Sequence, residues 1–292
     1  MFEIVHKQIL ADDIKRIDIM APEIAAKAKP GQFVGISPEE GDERIPLTVV
    51  DTDANRGTIT LIVREVGATT GKLGSLPINE SVFSLIGPLG IEAKIEKVGT
   101  VVCIAAGIGV AQILPISKSL RDKGNKVIGI IGAKTKKKIV LEPQMRKCCS
   151  KIFVTTEDGS FERRGKVTDV FQRVLIDNQV DLVYAIGRPE MMKAVCDITR
   201  VRKIPTRVQL SPFMVDCLGM CGACRVRIGD KMMRACVDGP EFDGHLVDFD
   251  DYKKRQQFFE ENGGCHSHKS QSSRKQSGSG ILTKFLSDIL GK

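Results

Sequence analysis

Residues 216–224 read Asp-Cys-Leu-Gly-Met-Cys-Gly-Ala-Cys, and Cys236 follows twelve positions later. Cys221 and Cys224 form a C-x-x-C pair, in which a tight turn aims both thiolates at one metal centre. Gly222 and Ala223 keep bulk away from that centre. A hairpin is expected over Arg225–Ile228, Gly229-Asp230 and Lys231–Ala235. It would return the chain to its start and deliver Cys236 as a third sulfur. A [2Fe-2S] cluster takes four protein ligands, and two residues compete for the fourth place. Softness favours Cys217, because thiolates suit iron–sulfur clusters. Spacing favours Asp216, because plant-type clusters leave four residues between the first ligand and the next, then two. Three cysteines plus another ligand would also make a structural zinc site, although no histidine stands at the expected spacing. The other cysteines read as ordinary: Cys103 as packing in a buried strand, Cys196 on a helix face, and Cys148 and Cys149 too close in sequence to chelate one metal easily.

A second chemistry resides in glycines. Ala106-Gly107-Ile108-Gly109-Val110-Ala111 lies between an apolar strand and a helix, where the backbone can approach a phosphate and a helix N-terminus favours the anion. Taken alone it is simply a tight turn. It gains weight from Gly187-Arg188-Pro189-Glu190-Met191-Met192, which follows another apolar strand. Loops at the C-terminal ends of parallel strands are where nucleotides bind. Farther upstream, Arg44-Ile45-Pro46-Leu47-Thr48 puts a cation and a hydroxyl on one side of a strand. The arginine could meet a pyrophosphate and the threonine a heterocycle, although such a pair is commonly just surface. No catalytic triad is visible and no general base is assigned.

The elements that must position these residues are legible in outline. Residues 1–95 read as short strands between turns, among them 33–36, 47–50 and 57–63, and imply a small antiparallel β-barrel. From 96 to 210 apolar strands (101–106, 127–131, 151–155, 181–186) alternate with helical stretches (110–122, 167–175), the pattern of a doubly wound parallel α/β sheet. Residues 211–250 form the cysteine-rich loop region. Residues 251–292 are an extension, with linker composition over 269–280 and an amphipathic helix over 281–291. The net charge of +8 favours anionic cofactors or acidic partners. The basic residues are spread and lack interleaved aromatics, which argues against nucleic acid. No apolar run is long enough to span a membrane, and MFEIVHKQIL does not read as a signal peptide. A cytoplasmic location is expected, with reduced cysteines.

In this order, R-x-P-x-[ST], G-x-G, G-R-P-x-M-M and a cysteine cluster resemble the ferredoxin–NADP reductase-like superfamily. Within it the chain looks like the electron-transfer subunit of dihydroorotate dehydrogenase. It looks still more like the small subunit of NADH-dependent reduced ferredoxin:NADP oxidoreductase, a sulfide dehydrogenase-type subunit. The stretches 212–216, 219–226 and 235–243 and Glu157-Asp158-Gly159-Ser160 carry this narrower likeness. The resemblance implies that Arg44, Pro46, Leu47 and Thr48 hold FAD and that Gly67, Thr69, Thr70 and Gly71 cradle its pyrophosphate. It implies that Gly107, Gly109, Glu157, Asp158, Gly187, Arg188 and Met191 line an NAD(H) site, and that Asp216, Cys221, Cys224 and Cys236 ligate the [2Fe-2S] cluster. Dihydroorotate-type subunits carry cysteine where Asp216 stands, and the bifurcating small subunits carry aspartate. Glycine is usual at position 217. The resemblance also implies a larger partner subunit with FAD and [4Fe-4S] clusters, and through it ferredoxin. Lys134, Lys136, Lys137 and Lys138 leave NADP(H) open, whereas Glu157 and Asp158 suit free ribose hydroxyls. A reading of a different class is a zinc-stabilised module that binds NAD(H) without catalysis.

Overall fold

The computed structural model describes residues 2–262. The linker and amphipathic helix expected after residue 268 lie outside the described residues.

The chain begins with a hairpin, β1 (Phe2–Ala11) and β2 (Ile14–Met20), followed by α1 (Pro22–Lys27), β3 (Phe33–Ser37), β4 (Ile45–Thr48), β5 (Asp51–Asp53) and β6 (Thr58–Arg64). Helix α2 (Ala68–Ser75), β7 (Ser81–Val82) and β8 (Ser84–Leu89) complete the first unit. Its strands form two antiparallel sheets, β5-β6-β2-β1-β7 and β4-β3-β8. Alternation builds the core between them: Ile17, Ile19, Ile59 and Leu61 from one sheet meet Val34 and Ile36 from the other.

The strand expected over 47–50 is divided. β4 pairs with β3, and β5 pairs with β6. Val49 and Val50 are buried at the corner where the chain changes sheets, and their amides bond to Gln32 and Thr60 carbonyls. An apolar run can thus mark a buried corner as well as one strand.

The second unit contains β9 (Thr100–Ala106), α3 (Gly109–Asp122), β10 (Lys126–Ala133), a 3-10 turn at Lys136–Lys138, α4 (Glu142–Cys148), β11 (Lys151–Thr156) and β12 (Arg163–Arg164). It continues through α5 (Val167–Asp177), β13 (Leu182–Ile186), α6 (Pro189–Val201) and β14 (Thr206–Gln209). The β9 strand is apolar on both faces because both are covered. Val102 and Ile104 pack with α5 and α6, and Val101, Cys103 and Ala105 pack with α3 and α4.

After β14 come β15 (Arg225–Ile228), β16 (Lys231–Arg234), α7 (Ala235–Asp238), β17 (Glu241–Asp243) and α8 (Phe249–Asn262). The expected hairpin is present as β15 and β16. β17 adds itself antiparallel to β14, so the seven-stranded sheet runs β12-β11-β10-β9-β13-β14-β17. The cysteine segment is therefore stitched to the nucleotide sheet rather than hung from it. Helix α8 was not expected from the sequence. Its residues are mostly polar, and it is anchored through buried Phe249 and Tyr252. Among the described residues, no helix is long and apolar enough to cross a membrane.

Candidate functional site

The sheet order fixes the first site. β10 lies on one side of β9 and β13 on the other, so the chain reverses its winding between β9 and β13. Gly107 and Gly109 follow β9, and Gly187 and Arg188 follow β13. Both glycine turns thus sit at the C-terminal ends of the two strands flanking the switch point, where a doubly wound sheet leaves a crevice. Gly107 has φ +60°, and a Cβ there would meet nothing within 4 Å, so the turn is open outward. Gly109 is tight inward: a Cβ would stand 2.7 Å from the Ile186 carbonyl. Its hydrogen lets the start of α3 press against the end of β13. Arg188 caps α6, Pro189 takes the first helical turn, and Met191 packs partly buried behind Gly187.

Glu157 and Asp158 follow β11 on the same edge and are exposed. Asp158 accepts from the Ser160 amide (3.0 Å) and hydroxyl (2.7 Å), and these bonds hold its carboxyl below the ordinary value. Two of the four nearby lysines are engaged. Lys136 lies 5.3 Å from the Phe161 ring centre, and Lys138 pairs with Asp13 at 2.5 Å.

On β4, Ile45 and Leu47 pack against the barrel core, so Pro46 and Thr48, with Arg44 just before them, take the opposite face. The Arg44 Nε is buried and has no hydrogen-bond partner among the described residues. A buried guanidinium edge without an acceptor is costly and suits an anionic group such as a pyrophosphate. Helix α2 begins just past Gly67, and its first turn is tied by Thr70, whose hydroxyl accepts from the amides of Val66 and Gly67, both at 3.0 Å. Thr69 is half-buried beside it, and a Cβ at Gly71 would meet open space.

The cysteine loop is organised by one carboxylate. Asp216 Oδ1 accepts from the Leu218 amide (2.9 Å), and Oδ2 accepts from the amides of Met220 (2.9 Å) and Cys221 (2.7 Å). Burial works against its charge, yet these amides outweigh it and hold the carboxyl below the ordinary value. Cys224 and Cys236 are buried and free of any disulfide, with the Cys224 thiol donating to the Cys236 sulfur at 3.2 Å. Burial, and after it the facing Cys224, pushes the Cys236 thiol up to about 12. Cys221 is half-buried at the loop tip. Among the described residues, no three His, Cys, Asp or Glu side chains converge at metal-binding distance. The structure brings Cys224 to Cys236 and Asp216 to the Cys221 amide. A soft, mostly sulfur donor set with an acid beside it fits an iron–sulfur centre.

Cys217 is 1% exposed and lies in the same buried core as Cys224 and Cys236, and burial pushes its thiol up to about 12, with Arg44 pulling the other way. Its φ of +64° is the left-handed conformation that glycine adopts freely.

Comparison with known proteins agrees with this geometry. Residues 211–248 match the family model of the iron-sulfur cluster binding domain of dihydroorotate dehydrogenase B. The dihydroorotate dehydrogenase B (NAD(+)) electron transfer subunit homolog of Thermotoga maritima is 39% identical over 87% of this chain and 89% of its own. The chain belongs to the dihydroorotate dehydrogenase B electron-transfer subunit family. It is thereby an oxidoreductase electron-transfer subunit with an iron–sulfur domain, which displaces the zinc-stabilised sensor. A chain of the NADH-dependent reduced ferredoxin-NADP oxidoreductase structure, solved in work on flavin-based electron bifurcation, superposes with TM-score 0.86 at 38% identity. It covers 89% of this chain and 94% of that one. A cytochrome P450 reductase from Amycolatopsis shares the fold alone, with TM-score 0.59 at 17% identity over 70% of this chain and 66% of that one. The family carries the barrel-plus-α/β architecture read from the sequence.

Two supports of the site escaped sequence reading. Arg234 Nη1 donates to the Gly219 carbonyl at 2.9 Å, bracing the loop from the hairpin. Arg44 Nη1 donates to the Asp216 carbonyl at 3.2 Å across 172 positions of sequence. No local pattern announces either contact.

Proposed function

We propose that this chain exchanges a hydride with NAD(H) at a bound FAD and passes single electrons through a [2Fe-2S] cluster to a larger partner subunit. When bound, the flavin supplies two-electron chemistry toward the nicotinamide and one-electron chemistry toward the cluster. The chain's own task is placement. Arg44, Pro46 and Thr48 hold the flavin on the face of β4 away from the barrel core, where Leu47, whose side chain packs into that core, offers only its backbone, and Gly67, Thr69, Thr70 and Gly71 stand at its pyrophosphate. Gly107, Gly109, Gly187, Arg188 and Met191 line the nicotinamide nucleotide crevice. Glu157 and Asp158 receive free ribose hydroxyls, which favours NAD(H) over NADP(H). Asp216, Cys221, Cys224 and Cys236 hold the cluster.

The observation that carries this reading is the loop itself. Two buried, unlinked sulfurs face each other beside a carboxylate that gathers three amides of the ligand loop. The spacing, four residues between Asp216 and Cys221 and then two before Cys224, supports Asp216 as the fourth ligand. Aspartate at that place, together with the 38% identical bifurcating relative, favours a partner carrying its own FAD and [4Fe-4S] clusters that serves ferredoxin. A dihydroorotate-oxidising partner and a sulfide dehydrogenase are the alternatives. We assign the units as 1–95 for flavin, 96–210 for nucleotide and 211–250 for the cluster.

The test is a visible and EPR spectrum of anaerobically purified protein before and after NADH. Flavin absorption with an S = 1/2 signal developing on NADH is expected. Zinc in place of iron, with no flavin, would sink the reading. Co-purification of the native partner, with its iron and flavin counted, separates the bifurcating assembly from the alternatives.

A further inference from the structure

Arg44 stands between the two proposed redox sites, and its placement is built in. Gly35 on β3 pairs with Pro46 on β4. A Cβ at Gly35 would stand 2.7 Å from Arg44 Cδ and 3.1 Å from Cγ. The arginine stem therefore lies flat across β3, in space that only glycine leaves. That path delivers the guanidinium to the cysteine loop, where Nη1 donates to the Asp216 carbonyl at 3.2 Å. The Nε edge is buried and without a partner among the described residues. One edge of the planar fork is thus committed to the cluster loop, and another remains for an anion. A lysine ammonium cannot divide itself in this way.

The residue gripped is the one on which the loop depends. The Asp216 side chain gathers the amides of Leu218, Met220 and Cys221, while Arg44 fixes its carbonyl. The peptide leaving that carbonyl enters Cys217, held at φ +64°. Turning the 216–217 peptide would release the left-handed residue and swing the carboxylate off its amides. Arg44 opposes that turn, and it brings a permanent positive charge to the loop.

We propose that Arg44 is a positioning residue of the cluster as well as of the flavin: it locks the ligand loop through the Asp216 carbonyl, and its charge raises the cluster's reduction potential. This rests on the cluster and flavin reading above. Potentials of such centres follow local charge and hydrogen bonding. A cation nearby stabilises the reduced cluster, which carries one more negative charge.

The experiment is an EPR-monitored redox titration with dithionite on the flavin-replete full-length chain, repeated after the flavin is stripped. Wild type is compared with Arg44→Gln, Arg44→Lys and Gly35→Ala. Dithionite reduces the cluster without the flavin, so an effect relayed by lost flavin is separated from a direct one. Arg44→Gln is expected to shift the midpoint to more negative potential in both states and to broaden the g-values. Arg44→Lys keeps the charge, and should keep most of the potential while broadening the line shape. Gly35→Ala leaves both side chains of the lock present but displaces the stem, and should broaden the line shape with the charge retained; it covers the case in which Arg44→Gln does not fold. Midpoints and g-values that coincide with wild type in the stripped protein for all variants would overturn the proposal. A wild type with no S = 1/2 signal under dithionite would overturn the cluster reading itself, and the proposal with it.

Discussion

The glycine turns at the switch point and the cysteine loop are the two short segments proposed to meet cofactors, but they are held by different means. At the turns, backbone fixes backbone: the Gly107 amide donates to the Gly132 carbonyl at 2.8 Å, and Gly109 lies against the Ile186 carbonyl. At the cysteine loop, side chains fix backbone: Asp216 holds three amides, and Arg44 and Arg234 each hold a carbonyl. The first arrangement is inherited from the sheet and fails through steric change. The second is improvised residue by residue and fails when one polar group is lost.

The largest effect should follow from removing a buried sulfur. Cys224→Ser replaces the soft donor of a proposed ligand with a hard one where two sulfurs face each other. The cluster's visible absorption and EPR signal should disappear, while flavin content and NADH-driven reduction of a two-electron dye persist. Loss of flavin as well would show that the two sites are not separately built.

Next in size, Asp216→Ala and Cys217→Ala distinguish the loop's organiser from its neighbour. Asp216→Ala leaves three amides without their acceptor, worth about 1–2 kcal/mol after water replaces part of the loss. It should remove or strongly alter the cluster signal. Cys217→Ala sacrifices only a buried thiol in a left-handed residue, and the cluster should survive. The reverse ranking in iron content would move the fourth ligand to Cys217. Gly109→Ala tests the other region. Its Cβ would meet the Ile186 carbonyl at 2.7 Å, and backbone must move, costing about 1–3 kcal/mol. Weaker NADH binding with an unchanged cluster signal is expected, read by titration of flavin reduction. A normal NADH response would mean the turn is not at the nucleotide.

What was legible in the sequence follows the same division. The parallel sheet announced itself because strands buried on both faces, such as 101–106, must be apolar at every position. Cysteine spacing is local, so the hairpin delivering Cys236 could be read as well. Arg44's grip on residue 216 was not legible, since its cause is a glycine on a neighbouring strand and a loop 172 positions away. β17 was missed because Glu241–Asp243 is too short to show a period, and α8 because its buried face reduces to a few aromatic anchors. Val49 and Val50 misled for the opposite reason: burial at a corner looks the same in sequence as burial in a strand.

The smallest effect concerns the seam where the two regions meet. Glu241 on β17 faces Arg207 on β14, with Nη1 at 3.3 Å from Oε1, and its other oxygen is buried with no partner among the described residues. Burial raises the Glu241 carboxyl above its ordinary value, against the opposing pull of Arg207 and the Lys94 amide. Arg207 is itself raised against its burial, chiefly by Tyr184 and after it by Glu241 and Glu96, while on the acid side burial wins over Arg207 and one carboxylate oxygen is left without a partner among the described residues. A carboxyl raised in the folded state contributes stability that is fully present below its unfolded value and is lost as pH rises through the folded value. Glu241→Gln has no such titration. The melting temperature of Glu241→Gln relative to wild type should therefore climb as the pH is raised above the ordinary glutamate value of about 4.3. A difference that stays level as the pH rises would mean Arg207 fully compensates the charge. The seam would then behave like the sheet it extends, rather than like the loop it carries.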